Sequence, residues 1–523
     1  MTVWLCLTKQ WLQSQDNQGI RQKQKVFKRA ESPRMDILLA AVLGELTTRS
    51  INFFIGKSFK PTALDVEDRL CRILLRAQVI VDEAMGRQIT SQAMLQQLDM
   101  LREAMYQGYY ILDTFRYQYR NKEEARGQVL SHSFFVSKVN TLQGLCSSSR
   151  KKEIFEQMQK SLDHLSSMIL DVQELVIFMM SYPCIYHQPY SMHLLLGNCM
   201  FGRQMETEVV VNFLLHTRPH ASEKLEVLPI VGPYKVGKST LVAHVCKDER
   251  VRNHFSQILF LRDHDFAGYD LAKFREGYEM EHRSLVSNSN KDGRLLIVLE
   301  LVDDLNEDAW SRLYSASIHH LSSGSKIIVT SQSDKIMKFG TTQALRMKFL
   351  SHEAYWYFFK TLAFGSMDPK MHPRLAHLAM EIAKMLNPCF IGAKMTACLL
   401  RDNFDIHLWY KVLGFLRVQM KTNLLKFGGR PFDLVNQKRP AYIGRMATPS
   451  EDAVLYDEHQ CSSQEEIPKI SVQDVVYGSV KAHGKFKVLG WRSQILPYHN
   501  YIFTCEIREL KTRAPKRKRS MKH

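Results

Sequence analysis

Residues 225–240 read LEVLPIVGPYKVGKST, and this stretch decides the fold. A short apolar run, suited to a buried strand, leads into the pattern G-x-x-x-x-G-K-S of a phosphate-binding loop. The glycines allow a tight turn, and N–H groups of the loop and of the following helix point at phosphate oxygens. An ordinary glycine-bearing turn is the alternative interpretation. The predicted nucleotide-binding residues are Gly232, Pro233, Val236, Gly237, Lys238, Ser239 and Thr240, with Lys238 on the β- and γ-phosphates and Ser239 on Mg²⁺.

A second part of the site is predicted where another apolar strand ends. Residues 295–300 read LLIVLE, so Glu300 comes where a phosphate-loop protein places the acid that holds Mg²⁺ through water. Leu301 follows it, and Asp303 and Asp304 would substitute for a second carboxylate only if the strand end bulged. A solvated acid at the end of a strand is the alternative for Glu300. The predicted cofactors are ADP or ATP with Mg²⁺, and the predicted activity is at most a weak ATPase.

The segment around the loop, residues 201–345, alternates short apolar runs with helical periodicity. Beyond the strand before the loop, further strands are predicted at 258–262, 295–301 and 326–330. This alternation predicts a parallel sheet with helices on both faces, in which ligands bind at the carboxyl ends of the strands. The predicted fold class is therefore α/β, with a P-loop NTPase sheet as the nucleotide-binding domain.

Residues 35–182 are predicted to form an N-terminal helical domain. Apolar residues recur at helical spacing, opposite a charged face, in the runs 39–53, 70–84, 98–115 and 155–179. Two interpretations stay open, an intramolecular four-helix bundle and a coiled coil between chains.

Shifts in composition predict the other boundaries. These are a disordered basic extension at 1–34, a linker at 183–200, a small helical subdomain at 346–427, a β-like region at 428–510 and a basic tail at 511–523. Strands are predicted within the β-like region at 453–456, 470–476, 486–491 and 501–507. No function is assigned to that region.

Most of the formal net charge of +18 lies in the two tails. Residues 1–34 carry seven Lys/Arg against two acids, and residues 511–523 carry seven against none. The body is therefore only mildly basic, which argues against a dedicated nucleic-acid-binding domain. The ten cysteines include no C-x-x-C pair, which favours a reducing compartment. Neither a membrane-spanning run nor a secretory leader is expected, so the predicted location is cytoplasmic, or nuclear if the basic tail is an import signal rather than a solvated end.

Motifs on both sides of the loop carry a resemblance to a known family. From about residue 35 to about residue 427 the chain resembles plant NB-ARC disease-resistance proteins of the coiled-coil class. The string GSKIIVT at Gly324–Thr330 is a specific match. The other matching segments are Phe201-Gly202-Arg203 with Glu206, the loop at 232–240, Arg252-Asn253-His254-Phe255, Leu350–Phe359, and Ala104–Asp113 in the helical domain, which aligns with the family's acidic helix.

The chain departs from the family pattern at the predicted nucleotide site and in the acidic helix. Glu300-Leu301 stands where the family has Asp-Asp, Gln332 where it has an arginine that senses the γ-phosphate, and Asn387–Ile391 where it has Gly-Leu-Pro-Leu. Tyr109 and Tyr110 replace the leading acids of the acidic helix, and Asp113 remains. No Met-His-Asp motif and no leucine-rich repeat period is found after residue 430.

The resemblance implies a molecular switch, closed with ADP and open and self-associating with ATP, that signals cell death or defence. Because Leu301 and Gln332 remove a carboxylate and a cation, nucleotide binding is predicted to survive while hydrolysis is weak or absent. Protein partners, either further copies of the chain or other resistance proteins, are implied at the N-terminal helical domain. The alternatives are a helical scaffold with a purely structural nucleotide domain, and an active ATPase of the motor type.

Overall fold

A computed structural model of the protein describes residues 62–120, 140–183, 200–216, 225–262, 293–301, 307–446, 451–461, 467–476 and most of 480–509. The predicted extension at 1–34, the first predicted helix at 39–53, residues 184–199 of the predicted linker, Asp303, Asp304 and the tail at 511–523 lie outside the described residues.

The N-terminal helices pack against one another within the chain. They are α1 (Ala63–Met85), α2 (Gln92–Thr114), α3 (Asn140–Asp171) and the short α4 (Gln173–Met179). The first three meet at Gly108 of α2. A Cβ atom built there would lie 2.8 Å from a methyl carbon of Leu74 on α1 and 3.1 Å from one of Leu165 on α3. The missing side chain therefore lets three helices share one core.

A five-stranded parallel sheet lies at the centre of the described chain. Its strands are β1 (Glu226–Val231), β2 (Gln257–Arg262), β3 (Leu295–Glu300), β4 (Lys326–Ser331) and the short β5 (Leu345–Arg346). The order is β2-β3-β4-β1-β5, so β1 lies between β4 and β5. Helices α5 (Gln204–Leu215), α6 (Lys238–Lys247) and α7 (Glu249–His254) cover one face, and α8 (Glu307–His320) covers the other. The predicted α/β class with a parallel sheet is confirmed, and β5 is an addition that no pattern indicated.

A helical subdomain follows the sheet and contacts the N-terminal bundle. It consists of α9 (His352–Phe364), α10 (Pro373–Leu386), α11 (Phe390–Asp402), α12 (Ile406–Phe427) and the short α13 (Pro431–Asn436). Its core is rich in aromatic residues, with Trp356 and Trp409 fully buried. Buried Asp113 of α2 accepts hydrogen bonds from Trp356 Nε1 (2.9 Å) and Lys360 Nζ (2.5 Å) of α9. This ion pair joins the bundle to the subdomain.

The C-terminal part of the described chain is a four-stranded antiparallel sheet. Its order is β6-β7-β9-β8, from β6 (Ala441–Tyr442), β7 (Glu451–Cys461), β8 (Lys485–Arg492) and β9 (Asn500–Glu509). The strand predicted at 470–476 is wrong, because the chain forms a short helix there, α14 (Val472–Val476). The reason is a capping box. The Asp474 carboxylate accepts from Ser471 N–H at 2.8 Å, and the Ser471 hydroxyl accepts from Asp474 N–H at 3.2 Å.

Within the described part of the chain, no helix combines the length and the apolar character that crossing a membrane requires.

Candidate nucleotide site

The phosphate-loop pattern lies at the carboxyl end of β1, between that strand and α6. Because β1 is buried along its whole length and pairs on both sides, the start of the loop is fixed. Gly237 precedes α6 with a φ of 103°, which residues with a Cβ atom rarely adopt. At Gly232 a Cβ atom would lie 2.6 Å from the carbonyl oxygen of Met347. Both glycines are therefore required by the backbone path of the loop.

Lys238, the first residue of α6, folds back over the loop. Its Nζ donates to the carbonyl oxygens of Gly232 (2.7 Å) and Pro233 (3.0 Å). Burial lowers the pKa of Lys238 to about 8, while the nearby charge of Glu300 opposes that shift. The ammonium thus sits at the mouth of the loop on two neutral acceptors, which phosphate oxygens would replace.

Polar side chains lie at the carboxyl ends of β4, which pairs with β1, and of β3, the next strand in the sheet. Glu300 ends β3 and is in register with Thr330 of β4, and Gln332 follows β4. All three line the same cavity as Lys238. Leu301 is buried, and its N–H donates to the Thr330 carbonyl oxygen at 2.9 Å, so an apolar side chain directly follows the acid. The described strand end therefore offers one carboxylate, that of Glu300.

The cavity has a volume of about 700 Å³, within the range of small-molecule sites. Its walls come from the phosphate loop, from Met200, Phe201 and Arg203, from the segment 385–392 of the helical subdomain, and from the C-terminal sheet, including Tyr501. Of the predicted site residues, Val236, Gly237, Lys238, Ser239, Thr240 and Glu300 line it. Gly232 and Pro233 do not line it and instead supply the carbonyl oxygens that bind Lys238.

The C-terminal wall of the cavity was missed by the sequence analysis. Lys235 of the loop forms an ion pair with Glu458 of β7, and its Nζ lies 5.8 Å from the centre of the Tyr501 ring on β9. Burial raises the pKa of Tyr501 above its usual range, and Glu458, Tyr234 and Glu300 add to the shift. No spacing or local pattern links residues so far apart, and no signal in the sequence indicates this contact.

Comparison with known proteins identifies the domain that carries this site. Residues 204–368 match the family model of the NB-ARC domain. The chain carries an NB-ARC domain. It is 31% identical over 225 residues to putative disease resistance protein RGA1 of Solanum bulbocastanum, a match that covers 41% of this chain and 23% of that protein. It is 23% identical over 407 residues to putative disease resistance RPP13-like protein 1 of Arabidopsis thaliana, covering 72% of this chain and 37% of that protein.

The chain thus spans about a quarter of the length of RGA1 and less than two fifths of the RPP13-like protein. The resemblance of this sequence to plant NB-ARC disease-resistance proteins is confirmed, while the coiled-coil class and the lack of leucine-rich repeats stay predictions. Among solved structures, a structure of Drosophila ORC bound to DNA matches at 13% identity and a TM-score of 0.29, covering 49% of this chain and 76% of that one.

The residues of the NB-ARC domain fit a nucleotide with Mg²⁺. The N–H groups of the loop and the ammonium of Lys238 are donors for phosphate oxygens, and the Ser239 hydroxyl and Glu300 carboxylate are the oxygen ligands that Mg²⁺ prefers. Among the described residues, no group of three or more His, Cys, Asp or Glu side chains is placed to hold a metal ion. A Mg²⁺ ion here would therefore depend on phosphate oxygens and water for most of its ligands.

Proposed function

We propose that this protein is an ADP/ATP-binding switch of plant innate immunity with weak or absent ATP hydrolysis. The observation that supports this most directly is the convergence of Lys238, Ser239 and Glu300 on one cavity within an NB-ARC domain. In this proposal the loop N–H groups and Lys238 hold the β-phosphate, and Ser239 and Glu300 hold Mg²⁺, with Glu300 acting through water.

A switch needs a ligand that contacts more than one structural unit, because only differential contacts shift a conformational equilibrium. The cavity meets this requirement. Its walls come from the parallel sheet, the helical subdomain and the C-terminal sheet, so a nucleotide bound there has more than one unit within reach. The nucleotide itself supplies the difference between the states, which is the terminal phosphate that ATP has and ADP lacks.

The groups at the two strand ends support the proposal of weak hydrolysis. An attacking water needs a carboxylate or amide that orients it, and a cation that stabilises the developing charge. Glu300 is the single described acid at the end of β3, since buried Leu301 follows it, and the uncharged Gln332 follows β4. Among the described residues, these two strand ends therefore supply one carboxylate and no cation, which supports the proposal of weak hydrolysis.

We further propose that signalling proceeds through protein partners bound by the N-terminal helical domain, in the cytoplasm or the nucleus. Leu64, Leu75 and Val79 lie along one face of α1, and each is at least 43% exposed. Exposed Asp68 and Arg72 lie among them on the same face, and a mixed apolar and charged surface of this kind suits contact with another protein. Self-association and binding to other resistance proteins are the two forms of this proposal. Light scattering of the purified full chain, with ADP and with an ATP analogue, separates them, because only self-association raises the molar mass when no other protein is present.

The test is the nucleotide that the full chain carries. Purified protein is denatured, the released nucleotide is identified by chromatography, and ADP and ATP affinities are then measured by calorimetry with and without Mg²⁺. Lys238→Ala should abolish binding, because it removes the cation of the loop. Lys247→Ala, an exposed lysine at the end of the same helix, is the matched control and should bind as the unmodified chain does. Absence of bound nucleotide, together with no shift of the thermal midpoint on adding ADP, would refute the proposal.

One observation favours a second candidate, a helical scaffold whose nucleotide domain is structural only. The loop satisfies its own lysine, since Lys238 Nζ is bonded to two carbonyl oxygens of the loop. On this alternative, Lys238→Ala lowers the thermal midpoint in the absence of nucleotide. ADP then shifts the midpoint of neither the unmodified chain nor the variant. The switch proposal expects the opposite, a small effect of the substitution alone and a large loss of stabilisation by ADP.

A further inference from the structure

Lys235 is an unusual residue for its place in the phosphate loop. Its backbone is in the left-handed region, with a φ of 58°, where a residue with a Cβ atom is strained. Such a conformation persists only where the surroundings enforce it, and it is found most often at functional sites. A glycine at this position would be free of this strain, because it has no Cβ atom.

The side chain of Lys235 is bound by the C-terminal sheet. Its ammonium forms an ion pair with Glu458 of β7, and the two side chains are only 11% and 3% exposed. The rings of Tyr234 and Tyr501 lie 5.2 Å and 5.8 Å from the same ammonium, a favourable arrangement for a cation. This contact fastens the C-terminal sheet to the phosphate loop.

The fold fixes the position of Glu458 but leaves part of its hydrogen-bonding capacity unused. The register of β7 against β9 shifts between Leu455 and Glu458, and bulges of this kind redirect a side chain. One carboxylate oxygen of Glu458 is buried and has no hydrogen-bond partner among the described residues. Burial raises the pKa of Glu458, while Lys235 lowers it. The carboxylate thus depends on Lys235, and the ion pair is buried at a cost that other groups offset only in part.

Lys235 also lines the cavity in which the nucleotide is proposed to bind. Other cations reach this cavity, but Arg203 is already bonded to Glu206 (2.7 Å) and to a backbone carbonyl oxygen, and Lys394 and Arg430 belong to the helical subdomain. Lys235 and Lys238 are the two cations of the loop itself. Lys238 lies on the loop carbonyl oxygens, whereas Lys235 is held by a side chain from another unit.

We propose that Lys235 is a second phosphate-binding cation, specific for the terminal phosphate of a nucleoside triphosphate, and that it exchanges Glu458 for that phosphate. The proposal rests on the proposed nucleotide-binding function. A terminal phosphate carries more negative charge than one carboxylate and offers three oxygens, so it displaces Glu458 from Lys235. A diphosphate lacks this group, and the ion pair to Glu458 persists. The C-terminal sheet is therefore fastened to the loop with ADP and released with ATP.

The first test is the ratio of ATP to ADP affinity, measured by calorimetry on the full chain with a non-hydrolysable ATP analogue. Lys235→Gln should weaken binding of the triphosphate about tenfold, the loss expected for one hydrogen bond between charged groups, and change ADP binding less than about threefold. Glu458→Gln should strengthen triphosphate binding by a similar factor, because the competing charge is removed. The matched controls are Lys247→Gln and Glu451→Gln. Lys247 lies at the far end of the helix that follows the loop, and Glu451 is on β7, as Glu458 is, and forms an ion pair with Arg445, which precedes the strand.

The second test follows the C-terminal sheet directly by hydrogen exchange of the amides of β7. Exchange should be faster with the ATP analogue than with ADP, and this difference should vanish in Lys235→Gln. Equal weakening of ATP and ADP binding by Lys235→Gln, or equal exchange of β7 with both nucleotides, would overturn the inference while leaving the proposed function intact. Failure of the unmodified chain to bind either nucleotide would overturn both. Because Glu458→Gln is expected to gain affinity, misfolding of that variant cannot imitate the result.

Discussion

Removal of the Asp113 carboxylate is expected to loosen the contact between the N-terminal bundle and the helical subdomain. Asp113 is 3% exposed, and one of its oxygens accepts both the Trp356 indole N–H at 2.9 Å and the Lys360 ammonium at 2.5 Å. The same ammonium lies 5.4 Å from the centres of the Tyr109 and Tyr357 rings. The contact is therefore a buried cation held by one acid and by aromatic rings from both units.

The size of the effect follows from what each substitution leaves behind. Asp113→Ala leaves the fully buried indole N–H and a largely buried ammonium without this acceptor. An unsatisfied donor costs about 1–3 kcal/mol and a broken buried ion pair about 3–5 kcal/mol, and the two costs overlap because the lost atom is the same. We expect a loss of about 3–4 kcal/mol for Asp113→Ala and about 2–3 kcal/mol for Lys360→Met, which keeps the packing of the stem.

The assay is native-state hydrogen exchange of the amides of α9, read as the free energy of local opening. The double variant Asp113→Ala/Lys360→Met should lose about 2 kcal/mol less than the sum of the single losses, because the interaction can be lost only once. Lys384→Met is the matched control. Its ion pair with Glu381 is about one third exposed, and its removal should change the free energy by less than about 0.5 kcal/mol. Additive single losses, within about 0.5 kcal/mol, would refute the reasoning.

Further predictions concern the bundle and the loop. Gly108→Val should lower the free energy of unfolding by about 1–3 kcal/mol through overpacking, whereas Gly414→Ala on α12, where no described atom lies within 4 Å of the new Cβ, should raise it by about 0.5–1 kcal/mol. Thermal unfolding of both variants measures this. Since the pKa of Lys238 is about 8, its ammonium is lost as pH rises through that value. The affinity for ADP should fall about tenfold from about pH 7 to about pH 9 in calorimetry, and Lys238→Arg should flatten the profile. Ser239→Ala should remove the strengthening of ATP binding by Mg²⁺, a loss of about tenfold or more, while Mg²⁺-free binding of ADP stays within about threefold.

Two results would contradict these predictions. If Gly108→Val and Gly414→Ala shift the thermal midpoint equally, the close approach of the three helices at Gly108 is not what limits the bundle. If Lys238→Arg keeps the slope of the unmodified chain between about pH 7 and about pH 9, another group titrates in that window.

The parallel sheet was predictable because its strands carry a local signal. Strands buried on both faces read as continuous apolar runs, and the runs at 258–262, 295–301 and 326–330 each lie within about one residue of an observed strand. The loop was also predictable from a local signal, which is its pair of glycines. The backbone conformation of the loop requires them. The two-residue strand β5 carries too few residues for any pattern.

The errors and omissions have separate physical causes. At 470–476 the apolar content was interpreted as a strand, although the S-x-x-D spacing of Ser471 and Asp474 is a signal for the start of a helix. The C-terminal wall of the candidate site had no such signal. Lys235, Glu458 and Tyr501 meet only because the two sheets pack together, and contacts between distant segments leave no periodicity in the sequence.

The ion pair between Lys235 and Glu458 also has a consequence for synthesis of the chain. Its partners are 223 residues apart, so the ribosome completes the phosphate loop well before it makes Glu458. At about 5–20 residues per second, the interval is roughly 10–45 s. The last strand of the parallel sheet ends at Arg346, 112 residues before Glu458, so for roughly 6–22 s of that time the complete sheet can fold with the Lys235 ammonium exposed to the nucleotide pool of the cell. The first occupant of the loop is thus chosen before the C-terminal sheet exists to compete for it.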